Sequence, residues 1–225
     1  MIQFDRVAKR YAAGNQALTD ISFSVDAGEM VFITGHSGAG KSTLLKLIAA
    51  VERADRGSVT VDGRNLAKLR PRDVPVLRRR QGMVFQDHQL LADRSVADNV
   101  QLPLVIAGVA REERRRRVRA ALDKVGLLER EQAMPAALST GEQQRVGIAR
   151  AIIGKPPLLL ADEPTGNLDP QLALEIMRLF ASFRDVGTTV LIASHDLALI
   201  KRMRQRVVVL DHGRLVDDVA AMEVA

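Results

Sequence analysis

Apolar and polar positions follow two rhythms along the chain. Short, nearly unbroken apolar runs at MVFIT (Met30–Thr34), PLLLA (Pro157–Ala161) and TTVLIAS (Thr188–Ser194) have the length and make-up of buried strands. STLLKLIAAV, after the first run, and QLALEIMRLFASF, between the other two, space their apolar residues as helices do. A helix joining two such strands is a βαβ unit, so the pattern predicts a parallel sheet with helices packed on it. Asp62-Gly63 after Ser58–Val61, and Asp211-His212-Gly213 after Val207–Leu210, are hairpin signals. An antiparallel element is expected over Ile2–Val25, ahead of the first parallel strand. From roughly Val96 to Lys155 the pattern is almost wholly helical, with breaks at Gly108, Gly126 and Pro135. The expected organisation is a single domain over 1–225, with a core and antiparallel β part from 1–95 and 156–225 and a helical subdomain inserted at about 96–155. No internal repeat or low-complexity linker interrupts it.

Composition narrows the class. With 47% hydrophobic and 27% charged residues the chain is globular rather than disordered or fibrous. Its longest stretch free of charged side chains, Asn99–Ala110, has twelve residues including Pro103 and Gly108. That is short of the ~20 apolar residues of a bilayer span, so no membrane crossing is expected. Nor does MIQFDRVAKR lead into the apolar core of a secretory leader, so a cytoplasmic protein is expected. With no cysteine there are no disulfides, thiolate metal ligands or thiol nucleophiles. Lys and Arg number 33 against 27 Asp and Glu, a formal charge of +6. Arginines cluster at Arg78–Arg80 and in REERRRRVR (Arg111–Arg119). Such a run is either a solvated helical face, with Glu112 and Glu113 offsetting part of the charge, or a patch for anionic lipid or nucleic acid. The chain's six Phe and one Tyr do not interleave with it, so base stacking has no platform and the solvated face is favoured.

Candidate chemistry starts at GHSGAGKS, Gly35–Ser42, which fits G-x-x-x-x-G-K-[ST] between a strand and a helix. Gly35, Gly38 and Gly40 let the loop curl, so that successive main-chain N–H groups, those of His36, Ser37 and Ala39 among them, converge on phosphate oxygens. The helix start adds the positive end of its dipole. Lys41 is placed to reach the β and γ phosphates, Ser42 to ligate Mg2+, and Thr43 to bond the α phosphate. Leu158–Glu163, LLLADE, supplies the complement: a strand ending in Asp162, which can hold the Mg2+ shell, followed by Glu163, which can orient an attacking water.

These residues and those around them resemble the ATP-binding cassette (ABC) ATPases. Leu138-Ser139-Thr140-Gly141-Glu142-Gln143-Gln144 is similar to the family's signature sequence, and Val84-Phe85-Gln86-Asp87 to its Q-loop. Asn167-Leu168-Asp169 resembles the D-loop, Ala193-Ser194-His195-Asp196 the switch histidine, and Tyr11 stands where the family places an adenine-stacking aromatic. Together the motifs span nearly the whole chain. The resemblance implies an α/β P-loop NTPase, specifically an ABC nucleotide-binding domain with a RecA-like core, an N-terminal antiparallel β-subdomain and an inserted helical subdomain. It implies hydrolysis of ATP to ADP and phosphate with Mg2+. Glu163 would polarise the lytic water or take its proton, and Gln86 would complete the shell of Mg2+ held by Ser42 and Asp162. His195 would contact the γ phosphate; its plainer reading is a hydrogen-bonded histidine at a strand end. Ser139, Thr140, Gly141 and Glu142 would approach ATP bound to a second copy, with Asp169 nearby, in a head-to-tail homodimer enclosing two ATP molecules.

Two positions depart from the pattern. Thr140 stands where the first of two adjacent glycines is usual and is expected to slow dimer closure, and Glu142 stands where many members have Gln. His88 and His212 are read as surface polar residues. Fewer than one hundred residues separate Lys41 from Ser139, too few for the long coiled coils of chromosome-maintenance cassettes. Asp162–Asp169, DEPTGNLD, is similar to the branch whose membrane partners transmit force. GHSGAGKSTLLKLI, FQDHQLLADRSVADNV, RRRVRAALDKVGLL and GEQQRVGIARAI most resemble the bacterial cell-division branch. That resemblance implies an FtsX-like integral membrane protein as partner, docked between the Q-loop and the helical subdomain. It further implies control of septal peptidoglycan hydrolysis, a peripheral place on the cytoplasmic face of the inner membrane, and a meeting with the FtsZ ring for which no residue is a candidate. Nucleic acid is not an expected partner. The competing readings are the ATPase subunit of a lipoprotein-releasing or other ABC transporter, and a scaffold that binds ATP to assemble.

Overall fold

The computed structural model describes residues 1–11, 14–166 and 168–221. Two sheets form among them. The first is antiparallel, built from β1 (Ile2–Arg10), β2 (Gln16–Val25), β4 (Arg56–Val61) and β5 (Arg64–Asn65) in the order β2-β1-β4-β5. The second joins β3 (Met30–Thr34), β6 (Gln81–Val84), β7 (Leu158–Asp162), β8 (Thr189–Ala193), β9 (Arg206–Asp211) and β10 (Arg214–Val219) in the order β10-β9-β3-β8-β7-β6. Its pairings are parallel except β9 with β10.

The three apolar runs are buried strands of this second sheet because both faces are covered. Successive side chains of a strand point to opposite faces. Phe32, Leu159 and Ile192 accordingly enter one core with α3 (Val96–Ile106), α4 (Arg111–Lys124), α5 (Thr140–Ile152) and α6 (Pro170–Asp185). Ile33, Leu160 and Leu191 enter another with α1 (Lys41–Ile48) and the antiparallel sheet. Helices α3 to α5 occupy the stretch read as helical, and the breaks fall where they were expected. Gly108 and Gly126 carry positive φ after α3 and α4, and Pro135 opens a single 3-10 turn. Both hairpin signals close tight turns, with Asp62-Gly63 at φ 49° and 71° and His212-Gly213 at 43° and 75°.

Strand β6 and the short helices α2 (Val74–Arg78) and α7 (Leu197–Met203) lie outside the patterned runs. QGMV is too short and mixed to stand out as a strand, and its Gly82 backs onto the Ala151 carbonyl so closely that a Cβ would collide. The arginine run forms α4, where Glu113 pairs with Arg116 and Arg117 and Arg119 reaches Glu131. No helix among the described residues is long and apolar enough to cross a membrane.

Register decides what the fold positions. Ile33 and Asp162 both align with Ala193, and Val84 aligns with Ala161. The residues that follow β3, β6, β7 and β8 therefore emerge side by side at the carboxyl edge of the parallel strands, where ligands of open α/β sheets bind.

Candidate functional site

A cavity of about 540 Å3 opens at that edge. Tyr11, His36, Ser37, Gly38, Gly40, Lys41, Ser42, Thr43, Gln86, Glu163 and His195, all expected site residues, line it. The phosphate loop is shaped by tight backbone packing. Gly35 (φ 148°) lies against the Leu210 carbonyl, and a Cβ on Gly40 (φ 107°) would come within 2.7 Å of both the Ala17 carbonyl oxygen and Leu18 Cδ2. Ala39 is fully buried, and its carbonyl accepts from Gly213 N–H at 3.1 Å. Hairpin β9–β10 thus braces the loop from behind.

The buried Lys41 ammonium donates to the carbonyls of Gly35 and His36, at 2.8 and 3.1 Å, and lies 3.9 Å from Glu163 Oε1. Glu163 adopts φ 46°, a left-handed conformation unusual for a residue with a side chain. Its N–H donates to the Ala193 carbonyl at 2.9 Å, and its own carbonyl accepts from Gly166 N–H at 3.2 Å. Two neighbouring segments thereby fix the bend that turns its carboxylate towards Lys41 and His195. His195 Nδ1 stands 2.9 Å from Glu163 Oε1.

Ser42 Oγ donates to Asp162 Oδ1 at 3.1 Å. Burial pushes the Asp162 carboxyl above its ordinary value, the Ser42 bond opposes this, and the Glu163 charge adds to the rise. A hydroxyl, a carboxylate and the Gln86 amide are the hard oxygen donors that Mg2+ takes, and a half-buried carboxylate with a raised pKa gains from a cation; the residues fit that ion. Thr43, buried, has its hydroxyl 3.3 Å from the Tyr11 OH. One side of the Tyr11 ring carries Lys9 Nζ at 5.5 Å from its centroid.

Ser139, Thr140, Gly141 and Glu142 are not among the cavity's lining residues. They form the start of α5, where Ser139 Oγ accepts from Glu142 N–H at 3.3 Å and Glu142 Oε2 accepts from Ser139 N–H at 2.9 Å, a reciprocal cap. Thr140 is exposed at the first helical position and Gly141 is buried against Leu172. Asp169 caps α6 by accepting from Gln171 and Leu172 N–H, and Gly141 lies against Leu172 and Leu168, so the signature and the D-loop are neighbours; Asn167 lies outside the described residues. His88 is half-buried rather than a plain surface residue, and burial lowers its pKa.

Asn15, Gln16 and Ala17 also line the cavity and were not expected there. Asn15 precedes β2 and Gln16 and Ala17 open it, and nothing in a strand's alternation says which loop its first residues will face. The role of the β9–β10 hairpin behind the phosphate loop was likewise hidden; Gly213, legible as a turn glycine, was its one trace.

A cradle of this kind at the carboxyl edge of a parallel sheet is built for polyphosphate. With a separate antiparallel sheet and a helical insertion, it defines a cassette-type P-loop ATPase. A family model described as ABC transporter matches residues 18–166, and the chain belongs to that family as an ABC-type ATPase. The cell division ATP-binding protein FtsE of Escherichia coli (strain K12) is 56% identical over 215 residues, 96% of this chain and 97% of that protein. The protein of the same name from Haemophilus influenzae is 50% identical over 216 residues, 96% of this chain and 99% of that one. A dimeric structure of a post-hydrolysis state of the ATP-binding cassette MJ0796, bound to ADP and Pi, superposes with a TM-score of 0.92 at 33% identity over 100% of both chains.

Proposed function

We propose that the chain is the ATP-hydrolysing subunit of a cell-division complex, in which ATP-driven dimer closure is relayed through an FtsX-like integral membrane protein to septal peptidoglycan hydrolysis. The observation that carries the hydrolytic half is the Glu163 carboxylate, held by a strained backbone 2.9 Å from His195 and 3.9 Å from Lys41 at the mouth of the phosphate loop. The division half rests on the near full-length likeness to FtsE proteins.

In this reading the triphosphate enters the loop and its oxygens replace the Gly35 and His36 carbonyls as acceptors for Lys41. Main-chain N–H groups of residues 35–43 take the remaining phosphate oxygens, and Tyr11 offers its ring to the adenine. Ser42, Gln86 and Asp162 would hold Mg2+, which would supply neutralisation of the phosphate charge. Glu163 accepts a hydrogen bond from the attacking water, and His195, 2.9 Å from Glu163 before ATP enters, turns to the γ phosphate and holds the site in its hydrolytic geometry. The capped start of α5 in a second copy, Ser139 to Glu142, completes the site, which accords with its absence from the cavity wall of one chain. Asp169, beside that cap, belongs to the same contact. ATP then favours the closed pair and hydrolysis the open one, and the partner couples to the difference. Leu91, Val105 and Ile106, large apolar side chains left exposed on and before α3, suit the docking of that partner and a peripheral place at the membrane.

The test has two arms. Glu163→Gln is expected to cut phosphate release by about 10²–10⁴-fold while an ATP-dependent dimer accumulates in light scattering; unchanged turnover refutes the assigned role. Affinity purification from membranes of the native host is expected to recover an FtsX-like protein, and recovery of a lipoprotein-releasing permease instead overturns the division reading.

A further inference from the structure

Where the phosphate loop meets the β9–β10 turn, three side chains converge that nucleotide chemistry does not use. His36 Nε2 lies 3.2 Å from Asp211 Oδ1, and His212 Nε2 lies 3.9 Å from the same oxygen. The two rings stand 4.6 Å apart between centroids. One ligand atom from each of the three lies within 4.8 Å of the others.

Proton positions make this arrangement incomplete. His36 Nδ1 is 2.6 Å from the Ser37 carbonyl oxygen, which only accepts, so Nδ1 carries the hydrogen. The His212 main-chain N–H lies a long 3.4 Å from His36 Nε2, a contact weak enough for the Nε2 lone pair to be given up to a cation. In that tautomer the Nε2 lone pair also faces a carboxylate oxygen 3.2 Å away. Two acceptors at that distance need a positive charge between them, either a second ring proton or a bound cation.

The segments carrying these ligands are held together without help from an ion. Gly213 N–H donates to the Ala39 carbonyl at 3.1 Å, Thr19 N–H donates to the Gly213 carbonyl at 2.7 Å, and Gly35 packs on the Leu210 carbonyl. We propose that His36, Asp211 and His212 form a binding site for one divalent transition-metal ion, with Zn2+ the best match. Bonds of about 2.0–2.2 Å around a tetrahedral Zn2+ place ligand atoms roughly 3.3–3.5 Å apart. The His36–Asp211 pair already has that spacing. The His212 side chain, 83% exposed, is free to swing the ångström or so that closes the three ligand atoms, now within 4.8 Å of one another, to that spacing, leaving one position for water. Two imidazole nitrogens and a carboxylate suit Zn2+, Ni2+ or Co2+ rather than Mg2+, so the site is chemically distinct from the Ser42–Asp162 pair. It also has a consequence for the loop. The His36 carbonyl accepts from Lys41, so an ion that ties the His36 ring to the hairpin holds the loop in the form that keeps Lys41 on its own carbonyls, and ATP turnover slows.

Binding is measured on the full chain without nucleotide, by Zn2+ calorimetry and by the visible absorption of Co2+, so the result does not depend on the hydrolytic reading. One ion per chain with micromolar affinity and a tetrahedral Co2+ spectrum is expected. His212→Ala and Asp211→Asn should each weaken binding at least tenfold, and Glu163→Gln should leave it unchanged. Basal Mg-ATP turnover of His212→Ala should equal the parent's, with inhibition by Zn2+ shifted at least tenfold to higher concentration. Zn2+ affinity weaker than millimolar, unaltered affinity in both His212→Ala and Asp211→Asn, or equal Zn2+ inhibition of the parent and His212→Ala overturns the proposal.

Discussion

Arg150, late in α5, donates from its two terminal nitrogens to the carbonyls of His88 and Gln89, at 2.6 and 2.7 Å. These acceptors follow Gln86, which lines the cavity, and both adopt left-handed backbone, φ 57° and 46°. Left-handed residues with side chains cost about 1–2 kcal/mol each, so the bend stores roughly 2–4 kcal/mol. Hydrogen bonds from a charged donor contribute about 1.5–3 kcal/mol apiece. The guanidinium is buried enough for its pKa to be lowered, so the His88 bond is not easily replaced by water, whereas the Gln89 bond is exposed. Arg150→Ala removes both bonds but also lets the strained pair relax, and the two effects partly cancel. The net loss is expected at about 1–3 kcal/mol, a fall in Tm of roughly 2–12 °C for a domain of this size.

Location is the sharper part of the expectation. Amide hydrogen exchange should rise across residues 86–91 well before it rises in β7 or β8, because the released strain is local. Arg150→Lys, which cannot fork to two carbonyls, should show the same local exchange with a smaller drop in Tm. As Gln86 is carried on the released segment, the KM for ATP should rise severalfold in both variants. If exchange at residues 86–91 stays as in the parent while Tm falls, Arg150 contributes packing alone and does not link α5 to the Q-loop.

Three further outcomes follow from the site. Asp162→Asn should raise the Tm of the nucleotide-free protein at pH 7, because it removes a carboxylate whose charge burial disfavours. An acid with a raised folded-state pKa stabilises below its ordinary value and loses that contribution as pH climbs through the raised one, so the parent–variant gap should vanish below about pH 4; a gap that persists there contradicts the cause. Gly40→Ala meets the Ala17 carbonyl and a left-handed backbone, so it should lower Tm by at least ~5 °C and abolish nucleotide binding; a melt unchanged within a degree refutes the packing argument. Ser139→Ala should cost about 0.5–2 kcal/mol through the lost cap, whereas Ser139→Asp should keep the melt yet block the ATP-dependent dimer, and a dimer in the Asp variant would detach Ser139 from the partner's phosphate.

What the sequence made legible was whatever is encoded over a few adjacent residues. MVFIT and TTVLIAS read as strands because both sheet faces are covered, and His212-Gly213 read as a turn because few residues take such φ values. GHSGAGKS read as a phosphate loop because its spacing is its chemistry. What stayed hidden depends on register between distant segments. QGMV becomes a strand only because β7 lies beside it. Ala17 reaches the cavity wall because β2 runs behind Gly40, and Arg150 meets His88 across 62 residues. His36 and His212 looked unrelated because 176 residues separate them, yet the pairing of β3 with β9 makes them neighbours.

The same pairings say what nucleotide binding must exchange. Lys41 is engaged by two carbonyls of its own loop, Ser42 by Asp162, Thr43 by Tyr11, His195 by Glu163, and Ser139 by Glu142. In the proposed mechanism each of these groups turns to ATP, Mg2+ or the partner's phosphate, and in this structure each already has a neighbour. Binding therefore replaces one set of hydrogen bonds with another, and its net gain rests on the charge that phosphate and Mg2+ bring. A ligand without the γ phosphate satisfies the loop but leaves the Glu163–His195 pair and the Ser139–Glu142 cap undisturbed. In that mechanism only the complete triphosphate gives a second chain something to hold, so the state of one phosphate is coupled to the association of two subunits.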